Sequence, residues 1–411
     1  MTVQNKQKLA GPLGILVVLL FEVFAFFLIM SIFIVEGGGI LIPVLVIGAA
    51  TFVVLKKVPG LKVGLNEAFS NHKTIATICA IGLLLLPPFL LVKSAYWLFI
   101  VINAIIFIIA CLGLNLQLGS TGMMNLAGAA FMAFGAYTAG LLALNAGWPS
   151  WATLLAGAIV TGLFSVILFI PVLKTKGHYL ALVTIAFQFM VVILAENVEF
   201  TGGPQGLKNI PYLTFLGYSF NEPINLGFIT LHKYANYYYL GLAFAIVVAL
   251  VCMRVYRSWV GVTAATIRDD EIAAKTNGVK VNFWKLVIFV LGNSFIGLAG
   301  AFFAHLIGFI SPPNFFFDRS LVMVSVVILG GMDNVFGIIL GSILLITLPE
   351  KLRFIQEYRF LIYGLLLIIM LIFKPKGLIP FVPRDYKDLL VKAKSKLMTP
   401  TGKNEGDEKD D

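Results

Sequence analysis

Residues 268–278, Arg-Asp-Asp-Glu-Ile-Ala-Ala-Lys-Thr-Asn-Gly, form a charged segment between two long apolar runs. Their order spells a short amphipathic helix. Asp270 and Glu271 put negative charge where a helix start favours it, Ile272, Ala273 and Ala274 make one apolar turn, and Gly278 supplies a stop. With Arg268 ahead of it, such a helix can lie flat in a groove of a partner protein. The plainer reading is a solvated loop between two spans, and these residues alone do not separate the two.

A second set of polar residues interrupts apolar sequence. Gln117, Gly119, Ser120, Thr121, Gly122 and Asn125 form one break, followed by the small residues Gly128, Ala129, Gly135, Ala136, Ala139 and Gly140. Gly330, Gly331, Met332, Asp333 and Asn334 form another. Backbone freed from a helix inside hydrocarbon is tolerated only against protein or a water-filled cavity. Gln117, Thr121, Asn125, Gly330 and Gly331 are therefore candidates for lining a translocation pathway, with helix packing through the small residues as the alternative.

Catalysis has little to work with. The chain has no GxxxxGK[ST] phosphate loop, no GxSxG nucleophile and no HExxH zinc motif. Cys79, Cys111 and Cys252 lie in apolar runs without a CxxC pair, and His72, His178, His232 and His305 do not stand at metal-ligand spacing. No enzyme activity, metal or other cofactor is expected. A secondary transporter would want ionisable groups in its spans for coupling ions, and Glu22, Glu196 and Asp333 are nearly all there are.

The elements that must position these residues are membrane helices. Of 411 residues, 59% are hydrophobic and 12% charged, with a mean hydropathy of +0.96; the fold class is an all-α polytopic membrane protein. Spans are expected near 11–35, 40–55, 74–92, 96–116, 122–145, 150–173, 179–198, 236–256, 283–309 and 360–374, with 321–349 as a re-entrant hairpin of two half-helices. The first is too long for a cleaved signal and reads as a retained anchor. Counting residues at span ends, an inside N-terminus leaves 23 of the 30 Lys and Arg cytoplasmic and 7 outside. Both termini are then cytoplasmic. The net charge of +10 follows from this topology rather than from nucleic-acid binding, since the lysines sit in short loops without interleaved aromatics. Three parts are expected: an N-terminal transmembrane extension (1–92), a transmembrane core (93–380) and a solvated charged tail (381–411).

Seven segments, taken in order, resemble the longer permease type of branched-chain amino acid ABC importers. They are Gly113–Gly140, Pro171–Phe187, Thr201–Leu207, Arg268–Gly278, Gly297–His305, Leu329–Ser342 and Lys374–Leu378. Departures from the family pattern stand at Asn125, Ala127, Lys174, Lys176 and Asp333, the last where glycine is common. The resemblance implies a type II ABC importer permease fold and a heteromeric importer for leucine, isoleucine or valine in the bacterial inner membrane. It further implies a second permease subunit, two cytoplasmic ATPase subunits that bind the ATP, an extracytoplasmic substrate-binding protein, and a coupling role for Arg268, Asp270, Glu271, Ile272, Ala273, Ala274 and Gly278. Because selectivity in such importers rests mainly with the binding protein, urea, short amides or a sugar are alternative cargoes.

Overall fold

The computed structural model describes residues 12–34, 71–92, 94–173, 178–215, 217–225, 230–351 and isolated positions that include 374 and 377–379. Its helices are α1 (Pro12–Ile34), α2 (Lys73–Leu85), α3 (Ala95–Asn115), α4 (Gly128–Asn145), α5 (Ser150–Leu173), α6 (His178–Asn197), α7 (Tyr234–Arg257), α8 (Trp259–Asp269), α9 (Glu271–Thr276), α10 (Val281–Ile307), α11 (Phe317–Gly330) and α12 (Val335–Lys351). Sheet, among the described residues, is confined to two hairpins, Thr214–Phe215 with Tyr218–Ser219 and Ile224–Asn225 with Thr230–Leu231, in the connection from α6 to α7. Among the described residues, eight helical stretches are long and apolar enough to cross a membrane. Most of the expected spans at 40–55 and 360–374, and all of the tail 381–411, lie outside the described residues.

Helix α10 is the axis of the bundle and packs against α3, α4 and α5. Lipid tails are as apolar as leucine, so helices in a membrane associate by close fit rather than by hydrophobic exclusion. The sequence provides that fit with glycines. A Cβ on Gly135 would collide with the carbonyl of Gly297, and one on Gly300 with the carbonyl of Met132. The backbones of α4 and α10 touch at both places. Phe131, Phe289 and Phe302 fill the space above and below with fully buried rings. For Gly135, packing is the role the structure shows.

The N-terminal extension is fastened through hydrogen bonds that proline creates. Pro88 has no N–H for the carbonyl of Leu84, and the N–H of Phe89 turns to Leu86 instead of Leu85. The hydroxyls of Tyr238 and Tyr239 on α7 donate to those carbonyls, to Leu84 at 2.7 Å and to Leu85 at 3.2 Å. Met30 and Phe33 of α1 join the main hydrophobic core. Helices α1 and α2, in the part set apart by sequence, are thus packed on the core.

Two expectations change. The helix expected over 122–145 begins at Gly128, because Leu116–Ser120 widens into a π turn and 122–127 is unwound. The expected half-helices at 321–349 are longer than a half-depth hairpin requires. At one end Tyr96 of α3 donates to Glu350 of α12, and at the other Asn115 of α3 accepts from the N–H of Asp333 at 3.0 Å. The α11–α12 pair therefore runs beside the full length of α3.

The close approach gives a test. Gly135→Val should destabilise the protein by about 1–3 kcal/mol or more, the usual range for overpacking, and lower its melting temperature in detergent. Gly82→Ala, where nothing lies within 4 Å of the added Cβ, should leave it unchanged or raised.

Candidate functional site

The polar breaks converge at one end of the bundle, where α3, α7, α10 and the α11–α12 turn meet the α8–α9 segment. The turn comes from two residues. Gly331, at φ +109°, leaves the helix, and Asp333 follows at φ +61°, a region that aspartate tolerates and glycine enters freely. That explains why this position suits glycine, and the aspartate adds a charge. Asn334 then starts α12 by accepting from the N–H groups of Phe336 and Gly337.

The Asp333 carboxylate is nearly closed off from solvent and fully occupied. One oxygen accepts from the guanidinium of Arg268 at 2.6 Å and the other from the hydroxyl of Ser120 at 2.9 Å. Arg268 also donates to the carbonyl of Gly119, a group freed by the π turn, and its stem lies against Gly122. Asn115 accepts from the Asp333 N–H and donates to the Tyr256 hydroxyl at 2.8 Å. Burial pushes the Asp333 carboxyl above its ordinary range, while Ser120 and Arg268 pull it back. Arg268, read from sequence as part of a docking helix, is therefore also the tie between that segment and both polar breaks.

A second cluster lies one turn deeper. Gln117 donates to Asn293 at 2.9 Å and accepts from Asn125 at 2.7 Å, and Thr121 donates to the carbonyl of Gln117 at 2.8 Å. The unwound stretch before α4 leaves backbone donors without helical partners, and other helices supply acceptors. Thr184 accepts from Leu126, Gln188 from Ala130 and Ser320 from Ala129. Similarly, the carbonyls of Leu329 and Gly330 at the end of α11 accept from the N–H groups of Leu378 and Ile379. Gln117, Thr121, Asn125, Gly330 and Gly331 are all buried, with polar groups spent inside the chain. Gln117, Thr121 and Asn125 share one hydrogen-bonded cluster with Asn293, a buried polar layer, while Gly330 and Gly331 end α11 against Gly337 and Gly377.

The segment 268–278 forms the expected short helix with roles divided differently. Asp270 is the cap, accepting from the N–H groups of Ile272 and Ala273 at 2.9 and 3.0 Å. Glu271 is taken by Lys285 of α10 at 2.6 Å. Ala274 packs inward with Ile267 and Val281, Gly278 ends the helix at φ +82°, and Ile272 stands 73% exposed with Ala273 beside it. Lys285, Asn115, Tyr256, Asn293, Thr184, Gln188 and Ser320 were missed by sequence reasoning. Several are polar residues within apolar spans, which was the available signal.

Residues 96–371 match the family described as branched-chain amino acid transport system / permease component. The chain is 34% identical over 321 residues to the high-affinity branched-chain amino acid transport system permease protein LivM of Escherichia coli, covering 72% of this chain and 75% of the relative. It is 34% identical over 297 residues to the Salmonella typhimurium protein of that name, 69% of each chain. A probable LivM of Methanocaldococcus jannaschii is 23% identical over 234 residues, 53% of this chain and 64% of the relative. No solved structure matches.

The ion pair can be weighed by a double-mutant cycle. Removing one partner of a buried pair typically costs 3–5 kcal/mol, but the Arg268 side chain is 34% exposed, so solvent screening reduces that to about 1–3 kcal/mol. Arg268→Met and Asp333→Asn should each destabilise the chain to chemical denaturation, and the double variant should lose less than the two losses added.

Proposed function

The chain belongs to the branched-chain amino acid transport permease family, and from that membership we propose that it is the long permease subunit of an ATP-driven importer for leucine, isoleucine and valine. The observation carrying the mechanism is the link from α9 through Arg268 to Asp333 and Gly119. Outside the bundle, α9 presents Ile272 and Ala273 to a partner. Inside, the guanidinium grips the turn of α11–α12 and the unwound end of α3. A push on α9 reaches both breaks through one hydrogen-bonded unit.

In this reading two ATPase subunits bind and hydrolyse ATP, so this chain needs no cofactor of its own. A second permease subunit completes the pathway, and an extracytoplasmic binding protein delivers the amino acid. The polar layer and both termini face the cytoplasm of a bacterial cell in this reading, which the positive-inside bias of 23 against 7 Lys and Arg supports. Helices α11 and α12 are two full crossings joined at the cytoplasmic side, which keeps the tail inside. Closure of the ATPases then biases the permease between two states, each populated according to what is bound.

The exposed turn of α9 is the place to test it. Ile272→Asp puts a charge where an apolar contact is needed while leaving the Asp270 cap and the Glu271–Lys285 pair intact. In the assembled, reconstituted complex it should lower leucine uptake and binding-protein-stimulated ATP hydrolysis together by at least about tenfold, as loss of an interface anchor does. Normal uptake by a correctly inserted variant would remove α9 from coupling.

A further inference from the structure

At the end of the bundle opposite the polar layer, a cavity of about 430 Å³ opens between α3, α10, α11 and α12. Its lining mixes charges of both signs with apolar rings: Arg319, Asp318 and Glu350 beside Phe107, Phe303 and Val322. Asp318 and Arg319 stand at the start of α11 and Glu350 at the end of α12, so charges of both signs meet at one cavity beside apolar rings. We propose that this cavity is a transient binding site for a zwitterionic amino acid on its way through the permease, a proposal that rests on the substrate reading above.

Each part of such a ligand has a counterpart. The guanidinium carbon of Arg319 lies 5.8 Å and 5.9 Å from the ring centroids of Phe107 and Phe303. Rings engage a guanidinium through its faces, whereas its donors lie in its plane, the geometry that recognises a carboxylate. Asp318 and Glu350 supply negative charge for the ammonium group. Tyr96 donates to Glu350 and ties the start of α3 to the end of α12 at the rim. Phe107, Phe303 and Val322 form the apolar wall for a branched side chain. The volume lies at the small end of ligand pockets, about 300–1,000 Å³, which suits one amino acid and its waters. The named charges sum to −1, so a zwitterion is held without the strong net field that would trap an ion.

The test uses the assembled complex in proteoliposomes, with the chain lacking Cys79, Cys111 and Cys252 and carrying Asn314→Cys as a reporter at the cavity. Labelling by a membrane-impermeant maleimide added on the side of Lys208 should be slowed by leucine in a saturable way. Isocaproate, which lacks the ammonium group, and isoamylamine, which lacks the carboxylate, should each protect about tenfold less effectively, as loss of one charge-assisted contact implies. Arg319→Gln should bring leucine down to the level of isoamylamine while leaving isoamylamine unchanged, a pattern that a folding defect does not produce. Absence of leucine protection, equal protection by all three compounds, or a reporter that never labels from that side, in complexes that still import leucine, would overturn the site. Failure of the unsubstituted complex to import leucine would instead overturn the substrate reading.

Discussion

A carboxylate buried near the membrane boundary is tolerated only if it is matched, and the match between Asp333 and Arg268 at 2.6 Å organises this end of the molecule. The charge sits at a turn entered through Gly331 and held at positive φ, so its position is set by the backbone rather than by a long side chain. Arg268 comes from the opposite direction, at the end of α8, whose Ala264 is buried in the main core. Whatever displaces α8 and α9 acts on an arginine that cannot leave without exposing an unpaired charge. The energetic value of the pair is modest because solvent reaches Arg268; its mechanical value lies in joining two elements distant in sequence.

The same physics explains why the polar layer contains so many long-range hydrogen bonds. Unwinding 122–127 and breaking the chain at 331–334 releases backbone groups that, where buried, must find partners within the protein. Thr184, Gln188 and Ser320 take the donors ahead of α4, Leu378 and Ile379 supply donors to the end of α11, and Arg268 supplies one to Gly119. Each break is thereby tied to a different helix. Proline does the equivalent at the other side of the molecule, where Tyr238 and Tyr239 fill the carbonyls vacated at Pro87–Pro88. Packing between glycines on α4 and α10 leaves little slack between these ties, so displacement of one element is passed to its neighbours.

Hydropathy and span length were enough to read the membrane class and most helices, because about twenty apolar residues in series have few other uses. The short helix at 271–276 was legible from its acidic start and its glycine stop. The division of labour inside it was not: Asp270 and Glu271 are adjacent acids, and only the fold shows that one caps the helix while the other reaches Lys285. Gln117, Thr121 and Asn125 stood out as polar residues in apolar sequence, yet sequence alone cannot say whether such groups face a cavity or each other. Here they face each other: Asn293 accepts from Gln117 and Asn125, and Thr121 donates to the Gln117 carbonyl. Gly330 and Gly331 look in sequence like a mid-membrane break, whereas the contacts at Tyr96 and Asn115 put that break at one end of α3.

The central claim is that α9 and the α11–α12 turn move as one body because Arg268 holds Asp333. Spin labels at Lys275 and Phe336, in the assembled complex with the chain lacking Cys79, Cys111 and Cys252, measure this directly through their dipolar distance. The account requires a narrow distance that is the same without nucleotide and with ATP bound, and that broadens in the Arg268→Gln variant. A distance that shifts on ATP binding in the unsubstituted chain, or one that stays narrow when Arg268 is replaced, would contradict it.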